Sequence, residues 1–150
     1  MKRFEKILLA TDFSEYSGVA CDYALTLAKT FGSSLYILHV INEPVDLRGF
    51  YVPNISFEQL EKEIETGATE MLDNFCKVNL KDFERYEKEI ITGVPYEEIV
   101  RVATEKEISM IVIGTHGRTG LDHLIFGSTA ERVVRTAPCP VMTIRIPARP

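Results

Sequence analysis

Between Gly114 and Val133 the chain reads GTHGRTGLDHLIFGSTAERV, twenty residues with four glycines, two histidines, two arginines and a Ser-Thr pair. Three kinds of chemistry suit such residues. Glycines ahead of a helix let an oxyanion approach backbone N–H groups, and the helix N-terminus adds a partial positive charge. Ser128 and Thr129 bring hydroxyl donors, and Arg118 brings a charge-assisted contact. His116 and His123, with Asp122 beside the second, could touch phosphate or move protons, although loop histidines are more often simply solvated. The competing reading is a plain strand-to-helix connection with Ser128 or Thr129 as helix cap.

Several named chemistries are excluded. The segment lacks the Gly-Lys-Ser/Thr of a Walker A loop and the GxGxxG of a dinucleotide turn. No Gly-x-Ser-x-Gly elbow holds a nucleophile, and His116 and His123 find no third and fourth zinc ligand at a usable spacing. Cys21, Cys76 and Cys139 form no CxxC pair and read as free thiols packed in the interior. His39 ends an apolar run and reads as a packed ring with one nitrogen satisfied.

The elements that must position the segment follow from hydrophobic period. Ile7–Ala10, Leu35–Ile41 and Met110–Ile113 are apolar on both faces, as strands of a covered parallel sheet are. Phe83–Ile91 is more polar and suits a sheet edge, and Val141–Ile146 forms a fifth strand. Helices are predicted after the N-cap candidate Ser14 up to Gly32, from Phe57 to Phe75, from Pro95 to Ala103, and through Ala130, Val133, Val134 and Ala137. Residues 42–55, with Pro44, Gly49 and Pro53, read as a loop. This β-α alternation in one domain, 1–150, gives a parallel sheet with helices on both faces. Ligands of such sheets lie beyond the carboxyl ends of the strands, where strand order reverses. The loops after the first and fourth strands, Ala10–Ser14 and Gly114 onward, face each other if those strands are neighbours.

Composition bounds the function classes. With 150 residues, 45% hydrophobic and 26% charged, the chain suits one globular domain. A net charge of −5 argues against nucleic acid as partner. The charge is uneven, with five arginines against two acids from Gly114 to Pro150. No apolar run approaches the roughly 20 residues of a membrane span, and no export signal is read, so a cytoplasmic protein is expected.

The spacing Gly114-x2-Gly117-x9-Gly127-Ser128 between a strand and the last helix resembles the nucleotide-binding signature of the universal stress proteins. The likeness extends to ILLATDFSEYS, to His39-Val40, to Gly93-Val94-Pro95 and to APCPVMTIR, covering residues 3 to 146. It implies an α/β Rossmann-like three-layer sandwich with five parallel strands in the order 3-2-1-4-5. In the family's ATP-binding branch it also implies ATP at the switch point. By position, Asp12 would lie near the ribose and a Mg²⁺ bridging the phosphates, and Ala10, Thr11 and Val40 would line the adenine pocket, Val40 through backbone atoms. Gly114, Gly117 and Gly127 would admit the phosphates, with Ser128 and Thr129 donating to them. A homodimer through the fifth strand, at Val141, Met142, Thr143 and Ile144, is implied as well. The same strand offers an apolar edge of Val141, Met142, Ile144 and Ile146, of a kind proteins rarely leave uncovered.

Three functional classes remain at this point. A nucleotide-binding regulatory or stress-response module, with some unknown downstream protein partner, requires only the pocket. A weak ATPase, or an enzyme transferring a phosphoryl or nucleotidyl group, requires more than the single carboxylate Asp12. An interaction protein would leave the pocket empty. The expectation is a regulatory module with at most slow ATP hydrolysis.

Overall fold

A computed structural model describes residues 1–42, 57–115 and 126–145. Its elements are β1 (Lys6–Ala10), α1 (Glu15–Phe31), β2 (Ser34–Asn42), α2 (Phe57–Asn79), β3 (Tyr86–Gly93), α3 (Pro95–Glu105), β4 (Met110–Gly114), α4 (Ser128–Thr136) and β5 (Val141–Ile144). All neighbouring strands are parallel, in the order β3-β2-β1-β4-β5. The Rossmann-like α/β sandwich expected from the sequence is therefore the observed fold.

Side-chain alternation divides the core into two layers. Ile7, Leu9, Leu35, Ile37 and Val112 turn to one face, where Ala20, Cys21 and Ala24 of α1 and Leu72, Phe75 and Cys76 of α2 cover them. Leu8, Tyr36, Leu38, Ile111 and Ile113 turn to the other, under Ile99 and Val102 of α3 and Ala130 and Val133 of α4. The central strand β1 is thus buried on both faces, which is why its sequence runs apolar rather than alternating.

Local signals set most helix ends. The Ser14 hydroxyl accepts the amide of Ser17 and caps α1, and Gly32 closes that helix at φ 69°, a left-handed conformation that glycine adopts without steric cost. Pro95 opens α3 in its first turn, where its missing N–H costs nothing. Some details differ from expectation or lie beyond the described residues. β3 begins at Tyr86 rather than Phe83, because Phe83 and Tyr86 join a backbone turn and Phe83 packs on the core instead. β5 ends at Ile144, with Ile146 outside the described residues. Val134 lies on the outer face of α4 and is exposed. The expected loop 42–55 lies outside the described residues except for Asn42, which closes β2.

Cys21 and Cys76 are buried free thiols and Cys139 is half-buried. Burial pushes the Cys21 thiol up to about 12, helped by the charge of Asp22, and the Cys76 thiol up to about 11, against the lowering effect of Lys88. The unfolded chain ionises these thiols near 9.0 while the folded chain keeps them protonated. Between those values the unfolded state binds fewer protons, so stability falls as pH rises from about 9. Urea unfolding at pH 7.5 and pH 10 is expected to show this loss, by at most about 1.4 kcal/mol per pH unit per thiol, and Cys21→Ala is expected to flatten it.

Leu9 is fully buried beneath α1 in the central strand. Leu9→Ala is expected to cost about 3 kcal/mol in chemical denaturation, since the cavity opens where backbone on both sides resists collapse. Breaking the exposed Lys88–Asp73 pair by Lys88→Ala is expected to cost under about 1 kcal/mol in the same assay.

Candidate functional site

β1 pairs with β2 on one side and β4 on the other, so the connections that follow β1 and β4 run in opposite directions across the sheet and a crevice opens above their carboxyl ends. There lies a cavity of about 360 Å³. Ala10, Thr11 and Asp12 from the β1 end, Val40 from β2, Gly114 from β4, and Gly127, Ser128 and Thr129 at the start of α4 all line it. Residues separated by more than a hundred positions in the chain thus share one pocket. Gly117 and Arg118, like His116 and His123, lie outside the described residues.

The wall after β1 is organised by Asp12. Its Oδ1 accepts the Ser14 amide at 3.0 Å and the Ser17 hydroxyl at 2.7 Å, while the Ser17 Oγ accepts the Asp12 amide at 3.0 Å. The first of these bonds makes an Asx-turn, which carries the chain from strand to helix and orders the carboxylate at the pocket. Phe13, between them, adopts φ 66°, a strained conformation for a bulky residue. The structure around it fixes that conformation: its ring lies 4.2 Å from that of His39 and 6.2 Å from that of Phe75, centroid to centroid.

The opposite wall is the start of α4. Gly127 is its N-cap, and no side chain caps it. Ser128 and Thr129 therefore occupy the first turn rather than the cap. The first amides of a helix have no partner within it, so this turn presents N–H donors and the positive end of the dipole to the cavity. Thr115 ties the wall together: its amide donates to Ile144 O at 3.0 Å and its carbonyl accepts the Gly127 amide at 2.7 Å. A Cβ at Gly127 would sit 3.1 Å from that carbonyl. Gly127 is at φ −68°, so glycine is favoured here by close backbone approach to Thr115 and not by a left-handed turn.

The middle of the pocket is apolar. Leu38, Pro95, Ile99 and Ile113 join Ala10 and Ala130 in lining it. β2 outruns β1, whose paired register ends at Ala10 opposite Leu38, so Val40 and Asn42 extend along the cavity past the end of their neighbour. Sequence reasoning missed Ser17, Asn42, Pro95 and Thr115. The length of the apolar run in β2 relative to β1 was the signal for Asn42, and a polar residue directly after Gly114 was the signal for Thr115. His39 packs as expected, with Nδ1 against Thr11 O at 2.7 Å, and it also lines the cavity. Among the described residues, no three His, Cys, Asp or Glu side chains gather as a metal site, and no helix is long and apolar enough to cross a membrane.

The model of the Universal stress protein family matches residues 3–145. The universal stress protein MJ0531 of Methanocaldococcus jannaschii is 34% identical over 148 residues, covering 97% of this chain and 85% of its own. The solved structure of MJ0577, a universal stress protein of the same organism, superposes with a TM-score of 0.84 at 26% identity, covering 99% of this chain and 100% of that one. Two more distant structures share the fold at a TM-score of 0.64: a universal stress protein in complex with cAMP, 20% identical, and one from Archaeoglobus fulgidus in complex with dAMP, 23% identical. They cover 96% and 95% of this chain, and 98% of their own in each case. Matched along nearly its whole length by sequence and by fold, the chain belongs to the universal stress protein family.

Proposed function

We propose that this protein is an ATP-binding regulatory module of the stress response, acting as a homodimer and not as a dedicated enzyme. The observation that carries the reading is the first turn of α4, free of a side-chain cap, lining one cavity with apolar residues and with the ordered carboxylate of Asp12. A triphosphate suits the helix end, where Ser128 and Thr129 add hydroxyls to backbone N–H groups. A purine suits the slot between Ala10, Val40, Pro95 and Ile99, whose walls are flat and apolar. The cAMP and dAMP complexes of the two distant relatives support the capacity of this fold for adenine nucleotides.

Mg²⁺ fits the donor set in the limited way it commonly does, through one or two carboxylates and the phosphates. Asp12 would hold it, and the ion would neutralise phosphate charge beside an otherwise repelling carboxylate. Gly117 and Arg118 are assigned to the phosphate side by their place in the family pattern, with Gly114 at the mouth of the crevice. Asp12 is the single carboxylate among the described residues that line the pocket, and it is already engaged in shaping its own loop. General acid–base turnover requires a positioned group with a proton to exchange, and one structural carboxylate supplies little of this.

Titration calorimetry is expected to show saturable ATP binding below millimolar concentration, and the double variant Ser128→Ala, Thr129→Ala is expected to weaken it by about tenfold or more. Absence of heat at millimolar ATP in the wild type would overturn the reading in favour of an interaction protein with an empty pocket. Incubation with Mg-ATP is expected to give turnover far below about one per second, the lower end of ordinary enzymes. A rate near that value, abolished by Asp12→Ala, would make the protein an ATPase or a transferase.

The dimer reading rests on β5, the sheet's edge strand on the β4 side. Pro140 O and Ile144 O accept bonds from Ile111 and Thr115, so even-numbered residues face β4 while Val141 and Thr143 turn their backbone groups outward. Ile144 is buried in the core and turns its backbone carbonyl to β4, so the free edge is carried by Val141, Met142 and Thr143, which remain half-exposed. A twofold copy would cover this edge. Light scattering is expected to give twice the 17.0 kDa of one chain. Thr143→Pro, which deletes an outward N–H without removing a bond to β4, is expected to give a folded monomer.

A further inference from the structure

Helix α1 begins at Glu15 behind the N-cap Ser14, which makes Ser17 the third residue of its first turn. A polar side chain at that position commonly turns back to the amide of the N-cap residue. Here the Ser14 amide goes to Asp12 Oδ1 at 3.0 Å, and the Ser17 hydroxyl reaches further back. Ser17 Oγ accepts the Asp12 amide at 3.0 Å and donates to Asp12 Oδ1 at 2.7 Å. One hydroxyl thus joins the main chain of Asp12 to its own carboxylate. The direction of the second bond is fixed, because an ionised carboxylate only accepts. Ser17 is 6% exposed, so water competes little for either bond. The helix itself has no need of this hydroxyl: the Ser17 amide is satisfied by Ser14, through its carbonyl at 3.0 Å and its hydroxyl at 3.3 Å.

We propose that Ser17 is a positioning residue: its hydroxyl holds the Asp12 carboxylate in place for the cation that accompanies the phosphates. The inference rests on the nucleotide reading of the cavity and names the residue that prepares its carboxylate. An aspartate side chain turns about two bonds, and the Asx-turn bond from Ser14 restrains it at one point. A second donor on the same oxygen, tied to the Asp12 main chain, restrains both rotations before any ligand arrives. That order is then not lost as entropy on binding. Hydrogen bonds to a ligating carboxylate commonly contribute about ten- to a hundredfold in metal affinity by such orientation. Ser17 also lines the cavity, so a direct contact with ligand is the competing role. The two roles differ in one respect: a positioning residue has no effect once Asp12 or the cation is removed.

Calorimetric titration with ATP, once with Mg²⁺ and once with EDTA, tests this in five proteins: wild type, Ser17→Ala, Ser14→Ala, Asp12→Ala and the double variant Asp12→Ala, Ser17→Ala. The wild type is expected to bind at least about tenfold more tightly with Mg²⁺. Ser17→Ala is expected to lose most of that advantage while its affinity in EDTA changes by less than about twofold. In the Asp12→Ala background, Ser17→Ala is expected to change nothing further. Ser14→Ala removes the helix cap but keeps the amide on Asp12, so it is expected to lower the urea midpoint and retain the Mg²⁺ advantage. An equal loss with and without Mg²⁺ in Ser17→Ala, or a loss that persists without Asp12, would overturn the role in favour of pocket damage or direct contact. The same loss of advantage in Ser14→Ala would assign the effect to the helix end and overturn it as well. A wild type that binds ATP but gains nothing from Mg²⁺ overturns the proposal, whatever any variant does, and leaves the nucleotide site standing. A wild type that binds no ATP in either condition removes the nucleotide reading and the positioning role with it.

Discussion

Everything at this site depends on where the sheet reverses direction. β1 is the first strand of the chain and the middle strand of the sheet, buried on both faces and paired with β2 and β4. The crossovers that follow it run outward to β2 and β3, and the later ones to β4 and β5, and helices cover both faces. No helix can cover the gap above the carboxyl end of β1, because the connections on its two sides diverge. The cavity is a consequence of that topology, and the chemistry in it is whatever the loops after β1 and β4 carry.

Those two loops are built on different principles. The first is held by side chains: Asp12 and Ser17 exchange hydrogen bonds, Ser14 caps α1, and Phe13 is held in a left-handed conformation by His39 and Phe75. In the described residues of the second it is the backbone of Thr115 that joins the end of β5 to the start of α4. A side-chain clamp orients a carboxylate, whereas a backbone clamp with an uncapped helix leaves N–H donors for a ligand. A fixed carboxylate and the positive end of a helix, lining one cavity together with apolar residues, favour a ligand with an apolar part and an anionic tail that a cation can accompany.

Much of this was legible in the chain. Runs such as ILLA and MIVIG are apolar on both faces only if a sheet is covered twice, and their alternation with amphipathic helices leaves few topologies. Ser14, Gly32 and Pro95 mark helix ends by steric and capping rules that operate within a few residues. Gly114 and Gly127-Ser128 are visible because a glycine between strand and helix signals a backbone with unusual company. The contributions of Ser17, Asn42 and Thr115 were not legible, because each depends on a partner brought in by another element or on one strand outrunning its neighbour.

The sequence by itself determined the alternation of strands and helices, the residues able to meet an anion, and the family. Those properties follow from periodicity and residue type, which act over one turn or one strand. Tertiary structure alone decided why glycine is favoured at 127, since the carbonyl 3.1 Å from its missing Cβ belongs to Thr115. It decided that Ser128 enters the first turn of α4 rather than capping it, and that the His39 ring meets the backbone carbonyl of Thr11. Each of these depends on a backbone group of one element meeting a residue of another. Only the packed chain brings them within reach, because periodicity and residue type act over one turn or one strand.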